Sequence, residues 1–136
     1  MADAVLVVTT GLTLITTALV ALAAVAPKHA QWGVGTTAPA AGDVDLEDKT
    51  GCNEARVNDD YAVTTTTLTD DTVSAGALIT KAAAPAAITE VGLFNAADAG
   101  APPDGDTMFL RATFDAINLV VGNSIDFTID TKFVPV

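Results

Sequence analysis

The chain opens on a run of twenty-four residues without a charge, between Asp3 and Lys28, and the apolar spacing changes within it. Residues 4–8, "AVLVV", are continuous and mostly β-branched, which fits a strand or the start of a helix. From Thr9 onward the apolar residues Leu12, Ile15, Leu19, Leu22 and Ala26 recur at a 3-4-3-4 spacing, which lines one stripe of a helix. This predicts a helix from about Thr9 to Val25, with Thr9 or Thr10 as its N-cap and Pro27 as its stop. Leu14, Val20 and Val25 are apolar outside that stripe. A helix apolar on more than one side has to be covered on more than one side, so a symmetric oligomer or docking on a larger shell is expected.

Beyond the helix the period becomes two. "KHAQWG" reads as a short strand running into a Gly/Thr/Ala/Pro loop, and "VDLEDKTGCNEARVNDD" as an acidic segment with room for one helical turn. "YAVTTTTLT" and "TVSAGALITKA" are Thr/Val-rich strands with Asp70-Asp71 as the hairpin turn between them. "AAITEVGLFNA" alternates Ile88, Glu90 and Gly92 against Thr89, Val91 and Leu93. After the exposed loop "ADAGAPPDGD", "TMFLRATFDAI" sets Met108, Leu110, Ala112 and Phe114 against Phe109, Arg111 and Thr113. "SIDFTIDTKFV" separates Ile125, Phe127, Ile129 and Phe133 from Asp126, Thr128, Asp130 and Lys132. The Gly122-Asn123 turn predicts that these last two strands form an antiparallel hairpin.

The expected fold is therefore mainly β, an antiparallel β-sandwich or small barrel of six to seven strands with one N-terminal α-helix. Either a second sheet or the helix covers the apolar face of the sheet. One domain spans 1–136: strand and helix over 1–28, a loop-rich connection over 29–60, and the antiparallel β core over 61–136.

The uncharged opening run also has the length of a membrane span or a signal peptide. Against both stand Asp3 in place of a positive flank, the threonines of its first half, and an alanine-rich apolar part, Ala18–Ala26, well short of the ~20 residues a bilayer needs. The expectation is a helix buried by protein, with no membrane partner.

Charge sharpens the picture. Six Lys+Arg face seventeen Asp+Glu, a net −11, and fourteen of the acids are aspartates. Such a surface repels phosphates, so no nucleic-acid partner is expected, and the Asp-over-Lys bias suits very high salt, where screening removes the self-repulsion.

Candidate chemistry is sparse. Cys52 is the single cysteine and His29 the single histidine, which leaves no intrachain disulfide and no Cys–His pair with further partners. "WGVGTT" lacks the third glycine and the lysine of a phosphate loop, so a backbone turn beside a packed Trp32 is favoured. His29 reads as a strand or surface histidine rather than a ligand or base. The pairs Asp59-Asp60 and Asp70-Asp71 and the trio Asp98, Asp104 and Asp106 do not match an EF-hand loop and read as solvated acidic turns, an adventitious Na⁺ or Ca²⁺ being the alternative. Asp126 and Asp130, with Asp115 nearby, fall on a polar strand face, whereas a glycosidase acid needs an apolar pocket. No catalytic, cofactor-binding or metal residue is assigned, and no cofactor is expected. Arg111 stands mid-strand between Leu110 and Ala112, and an intersubunit or cross-strand pair with an Asp is expected of it.

Two blocks together carry a family resemblance. One is "TTGLTLITTALVALAAVAPKHAQWGVGTTAPAAGDVDLEDK"; the other is "ITEVGLFNAADAG" followed by "TMFLRATFDAINLVVGNSIDFTIDTKF". They resemble small structural (accessory) proteins of the virions of tailed bacteriophages and haloarchaeal tailed viruses. In that family an N-terminal helix leads into a "WGxGTTAPA" segment, and "ITEVGLF" is later joined by "RATF". The match spans most of the chain and is weakest between about Gly51 and Ala87, and Asn123 stands where the family has an Asp.

The resemblance implies a non-enzymatic virion component that binds other virion proteins, as a capsid-associated decoration or a vertex or turret component. The alternative is a tail, baseplate or fibre-base protein of the same particle. A haloarchaeal cell-surface or pilus-like subunit is a further alternative, and a small enzyme or ligand-binding sandwich has no supporting constellation. Within a homo-oligomer, Leu12, Ile15, Leu19, Leu22 and Arg111 are the expected interface or docking residues.

Overall fold

A computed structural model describes residues 9–22, 26–97 and 107–133, without the side chains of Thr9 and Leu12. The run 4–8, residues 23–25 of the expected helix, residues 98–106 of the expected loop with Asp98, Asp104 and Asp106, and the Thr9 side chain expected as a cap lie outside the described residues.

The predicted helix is α1 (Thr9–Ala21), and six strands follow: β1 (His29–Gly33), β2 (Asp60–Thr64), β3 (Thr72–Thr80), β4 (Ala86–Phe94), β5 (Met108–Leu119) and β6 (Ser124–Lys132). They form two antiparallel three-stranded sheets, ordered β1-β4-β5 and β2-β3-β6. The sheets face each other as a sandwich and do not close into a barrel. Between them lie Ala30 and Trp32 of β1, Ala75, Ala77 and Ile79 of β3, Ile88 and Leu93 of β4, Leu119 of β5, and Cys52 from the β1–β2 connection. Phe127 of β6 meets Trp32 edge-on at 6.4 Å and Phe114 at 6.0 Å between ring centroids, tying the sheets together through their largest side chains. Full burial of a side chain such as Ile79, Ile88 or Leu93 contributes about 1.5–3 kcal/mol.

Three expectations need correction. The Gly122-Asn123 turn does reverse the chain, but β5 and β6 do not pair: β5 runs beside β4, and β6 crosses to the opposite sheet and pairs along all of β3, from Thr72↔Lys132 to Thr80↔Ser124. A tight turn dictates the reversal and not the edge that the next strand joins. Here Lys81 grips the turn from β3's end, its N–H donating to Asn123 O at 2.8 Å and its carbonyl accepting from Gly122 N at 2.8 Å. Second, the acidic segment forms turns and bends and no helical turn. Third, β4 does not keep one alternation: a register shift between Ile88 and Glu90 lets Ile88 join the interior with Leu93 while Glu90 faces outward.

The β2–β3 hairpin forms, but β2 ends at Thr64, residues 65–71 rather than the Asp70-Asp71 pair alone make its connection, and Asp71 is buried there rather than solvated. The β1–β2 connection is the larger surprise, because it lies over the outer face of β1 and β4 as a second cover. Leu46 is buried above Gly92, where an added Cβ would meet Leu46 Cδ2 at 3.0 Å. Arg56 lays its guanidinium 3.6 Å from the centre of the Phe94 ring and donates to Gln31 Oε1 and Ala96 O. Strand β4 is thereby buried on both faces, which explains its nearly continuous apolar sequence.

Candidate functional site

The densest polar arrangement is built on that cover. Glu90, at the middle of β4, has no exposure. A carboxylate so placed needs a donor for each lone-pair direction. Its Oε1 accepts from Gly35 N and Asp48 N, both at 3.0 Å, and its Oε2 from Glu47 N at 3.1 Å and Arg111 Nε at 2.7 Å. Three of these donors are backbone amides of the cover, so one buried anion fastens the connection to the sheet. Gly33 and Gly35 follow from the same contact: a Cβ on either would stand 2.5 Å from Glu90 Oε1. The two glycines of "WGVG" make room for a carboxylate, not for a phosphate.

Arg111 comes to Glu90 from the neighbouring strand β5, two residues along from Glu90's register partner Thr113, with its side chain only 4% exposed. Its remaining nitrogens reach Asp43 Oδ2 at 2.9 Å, Thr37 O at 3.1 Å and Glu47 Oε2 at 3.2 Å. Glu47 in turn accepts from the amide and hydroxyl of Thr37 at 2.7 and 2.6 Å. The donors from Thr37 hold the Glu47 carboxyl below the ordinary carboxylate range, and the Ala40 amide followed by Arg111 does the same for Asp43. Burial opposes the charge on Arg111, but Glu90 and Asp43 outweigh it and raise its pKa further. The expected partner of Arg111 is an Asp across strands or subunits; its cross-strand partner is instead a glutamate, Glu90, and the aspartate it meets, Asp43, comes from the connection.

A second buried pair closes one end of the sandwich. Lys81 and Glu54 are 0% and 6% exposed and 2.7 Å apart. Glu54 also accepts from Trp32 Nε1 at 2.9 Å and from the Ala82 amide at 2.8 Å. Burial alone would raise the Glu54 pKa, yet the donors from Lys81, Trp32 and Ala82 overcome it and hold it down to about 2. Cys52, two residues away, is buried as a free thiol, and desolvation pushes its pKa up, which makes it inert. A third buried acid, Asp71, gathers the amides of Thr66, Thr67 and Leu68 and the hydroxyl of Thr72 at 2.9–3.1 Å. These donors outweigh its burial and keep it ionised well below the usual carboxylate range.

No family model, curated protein or solved structure matches this chain. What the site can do is therefore read from geometry. Both buried ion pairs are turned inward and bind the chain to itself.

The proposed interface residues do not share one surface. α1 rests on β2 and β3, whereas Arg111 lies on the outer face of the other sheet beneath the cover. Ile15 and Leu22 are exposed and Leu19 is half-buried, while the side chain of Leu12 lies outside the described residues. His29 is half-buried in β1. Asp126 and Asp130 are exposed on β6, as expected. Asp59 caps the β2 ladder by accepting from Leu78 N. Among the described residues, no three His, Cys, Asp or Glu converge as a metal site, and no helix is long and apolar enough to cross a membrane.

Sequence reasoning passed over Glu90, Glu54, Lys81, Asp43 and Glu47. A signal was present for Glu90 and Lys81: each interrupts an otherwise apolar strand or strand end, where a lone charge requires a partner. The identity of those partners was not readable, because they come from the connection.

Proposed function

We propose that this chain is a non-enzymatic structural protein of a tailed virus of the haloarchaeal kind, carried on the capsid as a decoration or a vertex or turret component. One observation carries the reading: the residues that make the two sequence blocks resemble virion proteins, Gly33, Gly35, Glu90 and Arg111, meet in one buried cluster whose contacts are to the chain itself. Residues that a binding or catalytic site would present outward here hold the shape of a domain. A particle component needs that rigidity, since its task is to keep a surface in a fixed geometry.

The charge distribution supports the same reading. Arg111, Lys81, Lys49 and Lys132 are each paired with an acid of the same chain, and Arg56 is held by Gln31, Phe94 and Ala96. The surplus acids remain for solvent, an arrangement suited to molar salt.

Mass spectrometry of purified particles tests the proposal, with cryo-electron microscopy placing the density on head or tail. Presence in stoichiometric amount is expected; absence from particles overturns it, and density confined to the tail replaces the capsid position by the tail one.

A further inference from the structure

Helix α1 sits on the body in an unusual orientation. Its contact side is Thr13 and Thr16, with Val20 following: the Thr16 hydroxyl donates to Asp70 O at 2.8 Å and the Thr13 hydroxyl reaches Thr69 O at 3.4 Å. Thr16 is the only buried side chain among those described on the helix. At 100° per residue, the Ile15/Leu19/Leu22 stripe lies roughly a third of a turn round from this contact. Ile15 is 38% and Leu22 48% exposed, while Leu19 is half-buried at the boundary. The described part of this apolar line, Ile15 and Leu22, is thus left exposed by the described residues of its own chain.

We infer that this stripe is a heptad seam that packs against the same helix of a second copy of this chain. The inference deepens the assembly reading above and rests on it, and two observations select the occupant. Leu12, Ile15, Leu19 and Leu22 occupy successive a and d positions, and in sequence the spacing continues to Val5 and Val8 on one side and Ala26 on the other. An a/d seam is self-complementary, its knobs fitting holes made by the same residues opposite. Charge is the second selector. The flanking positions that steer such a helix toward a different partner hold Thr16 and Ala18, uncharged, and α1 carries no charged residue at all. Two chains of net −11 can meet along it without opposing carboxylates. The threonine contact then holds each β body on the outer flank of a central helical cluster.

Light scattering on size-exclusion eluates of the full chain in molar KCl tests this. Wild type is expected at two or more times the 13.7 kDa chain mass, and the Ile15→Glu/Leu22→Glu double variant at the monomer mass with an unchanged Trp32 near-ultraviolet signal. Leu14→Glu, at a 70% exposed position off the seam, should keep the oligomer. Leu22→Cys offers an independent reading, since Cys52 is buried: mild oxidation should give a covalent dimer. A wild type that stays monomeric up to about 100 µM overturns the inference. So does a double variant that keeps the oligomer, or a monomer that floats with phosphatidylcholine vesicles. An oligomer that is missing from purified particles would leave the seam standing and sink the virion proposal; a monomer found in particles would do the reverse.

Discussion

Glu90 shows how one side chain can account for several features of the sequence. Its four donors need two close backbone approaches, which exclude a Cβ at Gly33 and Gly35, and they need a guanidinium from the adjacent strand. Glu90→Gln turns an acceptor-only group into one that points an NH₂ at backbone amides and Arg111. A loss of about 3 kcal/mol is expected in denaturant unfolding at high salt. Gly35→Ala forces a methyl to within 2.5 Å of Glu90 Oε1 and 2.6 Å of Glu47 Cβ, so about 1–3 kcal/mol should be lost by the same assay, with the β core retained. Glu54 supplies a pH prediction. Its folded pKa of about 2 lies below the ordinary 4.5, so its contribution is complete above about 4.5 and disappears as the pH falls toward 2. Glu54→Gln should therefore flatten this acid limb when stability is measured across that window; an unchanged limb would refute the assignment.

At the scale of elements, the β2–β3 connection joins the helix to the body. Asp71 organises residues 66–68 from inside, and this presents the carbonyl of Asp70, at a φ of 53°, to the Thr16 hydroxyl. Asp71→Asn, which leaves at least one backbone donor without its anion, should cost about 2 kcal/mol. Thr16→Val removes the hydroxyl shared between Asp70 O and Thr13 O and should cost about 1 kcal/mol, leaving the sandwich intact. Hydrogen exchange separates the two: the threonine variant should speed exchange in α1 alone, and the aspartate variant in both α1 and the β2–β3 hairpin. Exchange of α1 unaltered in both would mean that the helix is held by something other than this contact.

For the whole molecule, charge sets the working conditions. The chain carries −11, and four of its six cations, Lys49, Lys81, Arg111 and Lys132, are taken up by acids of the same chain, so surface carboxylates repel one another with little local compensation. Salt shortens the reach of that repulsion from about 10 Å at 0.1 M to about 3 Å at 1 M. The buried pairs are screened far less. Melting should therefore rise by on the order of 10 °C between low and molar KCl, while the cost of Glu90→Gln stays nearly constant across the same range. A melting temperature that falls with salt would show that the ion pairs, and not the surface repulsion, dominate stability.

The alternation and the turn residues were enough to place the strands, the helix, the antiparallel mainly β class and the outward aspartates of β6, because period and turn chemistry are local properties of the chain; they left sandwich and small barrel open. The same patterns could not say which sheet edge β6 joins, since a Gly-Asn turn specifies a reversal and not a neighbour. Nor could they show that the loop-rich connection covers β4: its grip depends on a carboxylate from β4 and a guanidinium from β5, both far away in sequence. The stripe on α1 was legible as a pattern, but its direction was not. Only the tertiary structure decided that the threonine side faces the body, because Asp70 and Thr69 offer backbone carbonyl oxygens that no apolar stripe can use, and Ile15 and Leu22 are left exposed.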